Sequence, residues 1–192
     1  PYYDSTANGC NSSSGTYPAQ IDGKIGKAQD FEKNNSQYIN FGNPTALQIT
    51  SAITLEAWIK IESFSGWARV MSKLTKSPYN GYELIVPGDS YKPYLQVANG
   101  GTLKGVGDNT AISTGVWYYY AGTYDGSTAN IYRDGGNVGS TSWGSNAIGA
   151  SSVNFNIGRW SGTSSEYFDG IIDEVRVSNT ARSSAWIKAS YN

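Results

Sequence analysis

The 192-residue chain contains no histidine, and that absence removes a great deal of chemistry. Without an imidazole there is no Ser-His-Asp or Cys-His nucleophile and no histidine-containing metal centre. The single cysteine, Cys10, excludes an internal disulfide and cannot by itself build a tetrahedral zinc site. Charge is scarce, at 15% of residues, and nearly balanced: 14 Lys and Arg against 15 Asp and Glu. No basic field exists to attract phosphate backbones or anionic lipid, so nucleic acid is not an expected partner. No apolar run approaches the roughly 20 residues that cross a bilayer, so membrane insertion is not expected either. Pro1 opens directly into a polar segment with no signal peptide, and the chain reads as a piece processed or excised from something larger.

What the sequence does contain is turn chemistry and aromatics: 23 glycines, with Ser, Thr and Asn abundant, 6 Trp and 15 Tyr. Gly and Asn tolerate the positive φ of tight turns, which suits many short strands and not long helices. Residues 1–27 read as loop. Short strands are predicted at 28–31 and 37–41, around the polar turn Glu32-Lys-Asn-Asn-Ser. The clearest alternation is at 53–61, where Ile53, Leu55, Ala57, Ile59 and Ile61 share a core face. Thr54, Glu56, Trp58 and Lys60 share the other, expected to meet water or ligand. Further strands are predicted at 68–73, 81–86, 94–98, 116–124, 129–133, 138–143, 153–157 and 167–177. Asp125-Gly126 and Asp134-Gly135 mark hairpin turns. The tail at 180–189 predicts a short helix, capped by Asn179 or Thr180, with Ala181, Ala185 and Trp186 inward. This is the pattern of one all-β domain over residues 1–192, a two-sheet antiparallel β-sandwich or jelly roll with a C-terminal helix.

Five stretches carry a family resemblance: Asp22-Gly-Lys-Ile-Gly-Lys-Ala-Gln-Asp-Phe, Ile53-Thr-Leu-Glu-Ala-Trp-Ile-Lys, Trp117-Tyr-Tyr-Tyr-Ala-Gly-Thr-Tyr-Asp-Gly, Asn156-Ile-Gly-Arg, and Phe168-Asp-Gly-Ile-Ile-Asp-Glu-Val-Arg-Val-Ser-Asn-Thr-Ala-Arg. In this order they resemble bacterial laminin-G-like, concanavalin-A-like jelly-roll lectin domains. The resemblance implies a secreted or cell-surface module of a larger protein, often bound calcium and sometimes bound carbohydrate. It also places the N-terminal loop beside the last strand. Such domains usually carry a short apolar strand before the Asp4-Ser-Thr-Ala-Asn-Gly stretch. Here only Pro1-Tyr2-Tyr3 precedes it, so either an edge is uncovered or Tyr2 and Tyr3 stand in for that strand.

A calcium expectation has its own physical argument. Period two puts Ile171, Asp173, Val175 and Val177 on one face, so Asp173 is expected to be buried. A buried carboxylate must be hydrogen-bonded, protonated or metal-bound. Ca²⁺ takes six to eight oxygen ligands, and the loop from Asp4 to Asn8 offers a carboxylate, an amide oxygen and carbonyls. The expected structural Ca²⁺ ligands are Asp4, Asn8 and Asp173. The alternative is that Asp173 caps backbone N–H groups of a neighbouring loop and Asp4 nucleates an Asx turn.

Glycoside hydrolysis needs only two carboxylates about 5–9 Å apart, so it alone survives the loss of histidine. The Glu-x-Asp-x-Glu strand pattern of concanavalin-A-like glucanases is missing, however, and Asp173 and Glu174 are adjacent residues on opposite strand faces. Glu56 with Glu83 is the remaining cross-strand pair, and each reads more simply as a solvated charge. The expectation is a non-enzyme. Trp67, Trp143 and Trp160 fall in polar loop sequence, where exposed rings could stack on sugars, and Arg159 could supply hydrogen bonds. These four residues are the expected carbohydrate contacts, with Tyr79, Tyr82, Tyr91 and Tyr167 as lesser candidates. A structural or adhesive module contacting protein is the other reading.

Overall fold

The computed structural model describes residues 2–64, 66–163 and 165–192. Strands β1 (Ala19–Asp22), β2 (Lys27–Phe31), β3 (Ile39–Asn40), β4 (Ile53–Ile61), β5 (Trp67–Lys76), β6 (Tyr79–Pro87) and β7 (Tyr94–Asn99) are followed by six more. These are β8 (Thr102–Gly107), β9 (Trp117–Tyr124), β10 (Thr128–Arg133), β11 (Gly136–Ser142), β12 (Asn156–Ile157) and β13 (Gly170–Ser178), before helix α1 (Ser184–Tyr191). Two antiparallel sheets form the sandwich. One has seven strands in the order β1-β2-β13-β4-β9-β10-β11, and the other six in the order β3-β12-β5-β6-β7-β8. The jelly-roll expectation therefore holds.

The core lies between the sheets. Ile53, Leu55, Ala57, Ile59 and Ile61 of β4 face Val70, Met71, Tyr82, Leu84, Leu95 and Val97 of the other sheet, all buried. Burying aliphatic side chains of this size stabilises by about 1.5–3 kcal/mol each. The opposite face of β4 departs from expectation. Thr54, Glu56 and Trp58 are buried because α1 and the segment before it lie across that face. Ile187 of α1 packs with Trp58, Tyr119, Ala121 and Tyr132. Arg182 N–H donates to Thr54 Oγ1 (2.9 Å), and that hydroxyl donates to the Thr180 carbonyl (2.7 Å). The helix starts later than expected: Ser183 is its N-cap, accepting from Trp186 N–H, and the inward residue is Ile187, leaving Trp186 46% exposed.

Three other expectations change. Residues 1–27 are not all loop, since β1 and the first residue of β2 form there. Strand β8 arises in a Gly-rich stretch with no clear alternation, because it pairs with β7 along six residues. No strand forms before β1 among the described residues: Tyr2 packs against the core and Tyr3 is exposed.

Lys73 is a core-facing lysine on β5, paired across from Tyr82. Its ammonium reaches the rim, donating to the Val153 carbonyl (2.6 Å) and to Asn43 Oδ1. Burial pulls its pKa down to about 8. From about 8 to the ordinary lysine value the unfolded chain binds more protons than the folded one, so stability rises with pH there. Buried Tyr82, Tyr119 and Tyr120 have raised pKa values and act in the opposite sense only above about pH 10. Urea denaturation at about pH 8 and about pH 9.5 is therefore expected to show a gain in stability that Lys73→Met abolishes.

Candidate functional site

A polar row crosses the outer face of the six-stranded sheet. Cross-strand pairing aligns Asn40, Asn156, Ser72, Glu83, Gln96 and Gly105, each the neighbour of the next. Arg69 and Trp67 lie on the same face, one and two rows away from Ser72, because a bulge between Arg69 and Met71 shifts the alternation. That bulge hides Arg69 from a period-two reading of Ala68–Lys73.

Arg69 organises this face. Its guanidinium carbon sits 4.9 Å from the Trp160 ring centre and 5.8 Å from that of Trp67. Its donors reach the Trp67 carbonyl (2.9 Å), Glu83 Oε2 (3.4 Å) and Glu166. Glu83 is fully buried, and burial raises its carboxyl pKa against the lowering effect of Arg69 and of the Ser72 hydroxyl at 3.0 Å. Charge pairing of this kind compensates a carboxylate that water cannot reach. Glu83 Oε1, Asn156 Oδ1 and Trp160 Nε1 are buried without a hydrogen-bond partner among the described residues.

Expected and observed positions of the tryptophans differ. Trp160 is only 6% exposed, not a free loop ring, because Arg69 and Lys76 stack on it and Gly162 packs against its edge. Arg159 lies beside it in sequence but turns to Tyr38, 3.6 Å above that ring. Trp143 is half-buried against Tyr124, with ring centres 5.3 Å apart, and does not join the Trp67–Trp160 group. Trp67 is 40% exposed as expected. Tyr91, also 40% exposed, comes near it: Trp67 pairs with Pro87, whose carbonyl accepts the Tyr91 N–H (2.8 Å). Tyr91 in turn stacks on Phe64 with ring centres 4.2 Å apart. The positive φ of Tyr91 (58°) is the local signature of this loop, and no sequence rule marks a tyrosine for it.

The two carboxylates proposed as a hydrolytic pair are on opposite sides of the molecule. Glu56 lies on the outer face of the seven-stranded sheet, accepting from the Tyr119 hydroxyl, and Glu83 on the outer face of the other. Neither is solvated.

The expected calcium ligands border one cleft, which Asp4, Asn8 and Asp173 all line. Asp173 does not share a face with Val175 and Val177, however. A bulge between Asp173 and Arg176, with Glu174 at φ 49°, switches the alternation. Asp173 pairs across from Trp58 and points with it to the outer side, where Oδ2 accepts from Ile25 N–H (2.9 Å) and Oδ1 from Glu174 N–H (2.8 Å). Asp4 accepts from Thr6 N–H and hydroxyl (both 2.8 Å) and from Cys10 N–H (2.9 Å), and those bonds lower its pKa. Asn8 donates its amide N–H to Thr6 Oγ1, which keeps its carbonyl oxygen as the atom able to bind a cation. Among the described residues neither Asp4 nor Asp173 forms an ion pair. The oxygen-only donor set suits Ca²⁺, although hydrogen bonds already engage both carboxylates.

A family model described as the Concanavalin A-like lectin/glucanases superfamily matches residues 33–188, and the chain belongs to that superfamily. Three solved structures share its fold. Domain 4 of AbnA, a GH43 extracellular arabinanase from Geobacillus stearothermophilus, in complex with arabinotriose, superposes with a TM-score of 0.72 at 20% identity, covering 95% of this chain and 83% of that one. The binding domain of Paraclostridial Mosquitocidal Protein 1 gives 0.78 at 13% identity, covering 99% of this chain and 49% of that one. The Botulinum Neurotoxin serotype G binding domain gives 0.73 at 14%, covering 98% and 47%. The chain thus spans about half of each toxin domain. No curated protein matches it in sequence. No helix among the described residues is long and apolar enough to cross a membrane.

Gly23 makes room for Asp173: a Cβ there would fall 2.5 Å from Asp173 Oδ2 and 2.8 Å from the Ala28 Cβ. Gly23→Ala is expected to cost about 1–3 kcal/mol, lowering Tm by about 2–12 °C in a calorimetric scan.

Proposed function

We propose that the protein is a non-catalytic, extracellular carbohydrate-binding module. The observation that carries this reading is the pair of exposed rings, Trp67 and Tyr91, whose residues both adjoin the Pro87 main chain. Flat aromatic faces stack on the C–H faces of sugar rings, and a tyrosine hydroxyl adds a hydrogen bond. Arg69 fixes the Trp67 backbone through its carbonyl, so the ring is presented with little freedom left to lose on binding. Trp160 is the second ring against Arg69 and, being buried, supports that arrangement without forming part of the platform. The likeness to an arabinanase domain crystallised with arabinotriose makes arabino-oligosaccharides the first probe. The separation of Glu56 from Glu83 supports binding without hydrolysis.

A structural Ca²⁺ held by Asp4, Asn8 and Asp173 belongs to the same reading. Its support is that all three line one cleft and that Asp173, though buried, forms no ion pair among the described residues.

A glycan array followed by calorimetric titration tests the sugar. Trp67→Ala is expected to weaken binding about tenfold or more with Tm nearly unchanged, since truncating one stacked ring removes about 1–3 kcal/mol. Equal affinity in wild type and Trp67→Ala would remove the platform. For the ion, Tm is expected to fall on adding EDTA and to recover with excess Ca²⁺. An unchanged Tm would show that Asp4 and Asp173 serve only their hydrogen bonds.

A further inference from the structure

Beside the polar row on the outer face of the six-stranded sheet runs a second row. Cross-strand pairing aligns Arg69, Ile85, Tyr94 and Gly107 in it, so Tyr94 shares the face of Trp67 and Arg69. Strand spacing puts the Trp67 and Tyr94 backbones about 12 Å apart. The Tyr94 ring lies face down on Gly107. A Cβ there would fall 2.4 Å from Tyr94 Cζ, 2.6 Å from Cε1 and 2.7 Å from Cε2, and such similar distances put it over the ring face, not at its edge. Tyr94 is half-buried, and among the described residues no other ring or cation stacks on it. Gly105, exposed and across from Gln96, is a glycine the fold does not need. Its φ is not left-handed, and a Cβ would make only ordinary contacts, 3.4 Å from Gln96 Cγ and Tyr94 Cδ1. A glycine inside a strand weakens it and often marks a place where something approaches the backbone closely.

We propose that the sugar-binding surface continues across β7 and β8, with Tyr94, Gln96 and the open space over Gly105 as a second subsite for an uncharged glycan chain. Resting on the carbohydrate reading of Trp67 and Tyr91, the second subsite extends it from one stacked ring to several consecutive sugar units. A ring lying flat on the sheet offers its free face to the C–H bonds of a sugar. The Gln96 amide both donates and accepts, as sugar hydroxyls require. Gly105 leaves the chain room to lie against the strand itself. The charge of this face selects the ligand. Strands β6, β7 and β8 carry only two charged residues, Glu83 and Lys104. Glu83 is fully buried and paired with Arg69, and Lys104 pairs across from core-facing Val97 and donates to the Trp143 carbonyl (3.2 Å). A uronic acid or a sulfated sugar would find no free cation over these strands to offset its lost hydration.

The test is calorimetric titration of the full chain with arabinobiose and arabinohexaose, or with the short and long members of whichever uncharged glycan the array selects. The wild type is expected to bind the long oligomer about tenfold or more tightly than the short one, since linked contacts reinforce each other. Tyr94→Ala is expected to remove most of that difference. Because losing a ring packed on Gly107 can loosen the fold, Gly105→Val gives an independent check. It places a β-branched residue in an exposed strand position, so Tm is expected to hold or rise while the long oligomer loses its advantage. Trp67→Ala is expected to weaken both oligomers. If Trp67→Ala weakens binding while the other two variants keep the length dependence, the platform stands and the second subsite falls. If Trp67→Ala changes nothing at either length, or no glycan binds, the carbohydrate reading falls and takes the subsite with it. Oligogalacturonate bound as tightly as the uncharged chain, or a dimer in sedimentation that Gly105→Val disrupts, would also overturn the proposal.

Discussion

Strand β4 is buried on both of its faces, and the remaining architecture follows from that constraint. Its apolar residues face the second sheet, as period-two alternation requires. Its other face carries Thr54, Glu56 and Trp58, whose polar groups are costly to leave dry without partners. The tail supplies them for Thr54 and β9 for Glu56, while Trp58, whose indole N–H has no hydrogen-bond partner among the described residues, is covered by apolar contacts. The Thr54 hydroxyl both donates to and accepts from the segment leading into α1, Tyr119 donates to Glu56, and Ile187 covers the aromatic group around Trp58. The helix is therefore a third layer that makes a polar strand face compatible with burial.

The same economy of charge holds elsewhere in the sandwich. With 15 acidic and 14 basic side chains, the molecule places a few of its charges inside. Glu83 is buried with Arg69, Asp108 with Arg133 and the Tyr120 hydroxyl, and Lys73 with a carbonyl and an amide oxygen. Each serves to fix a neighbouring loop or ring. Arg69, held between two tryptophans, gives the six-stranded face a rigid aromatic element.

Much of the fold was legible because strands with one apolar face announce themselves by alternation, as Ile53–Ile61 does. What was not legible came from bulges and from context. At Asp173–Arg176 and at Arg69–Met71 an extra residue reverses inside and outside, so counting by twos put Asp173 with Val175 and missed Arg69 altogether. The Gly- and Ser-rich neighbours of Trp160 suggest exposure, yet Gly162 is what lets the chain pack closely on its ring, which Arg69 and Lys76 cover. Trp67 is exposed as its polar surroundings suggest, although it opens β5 and does not lie in a loop. Tyr91 reaches the platform through a hydrogen bond to Pro87, four residues away, with a left-handed backbone that local composition does not encode.

The last strand of the chain is not at the rim of its sheet but near the middle, with β2 on one side and β4 on the other. A ribosome releases β13 after every other strand of this domain, so the sheet lacks an inner member until the domain's last strand has emerged. Earlier strands can collapse and pair locally, but β2 has no neighbour to join it to β4. Closure of this sheet into the native arrangement thus waits for β13, the domain's last strand.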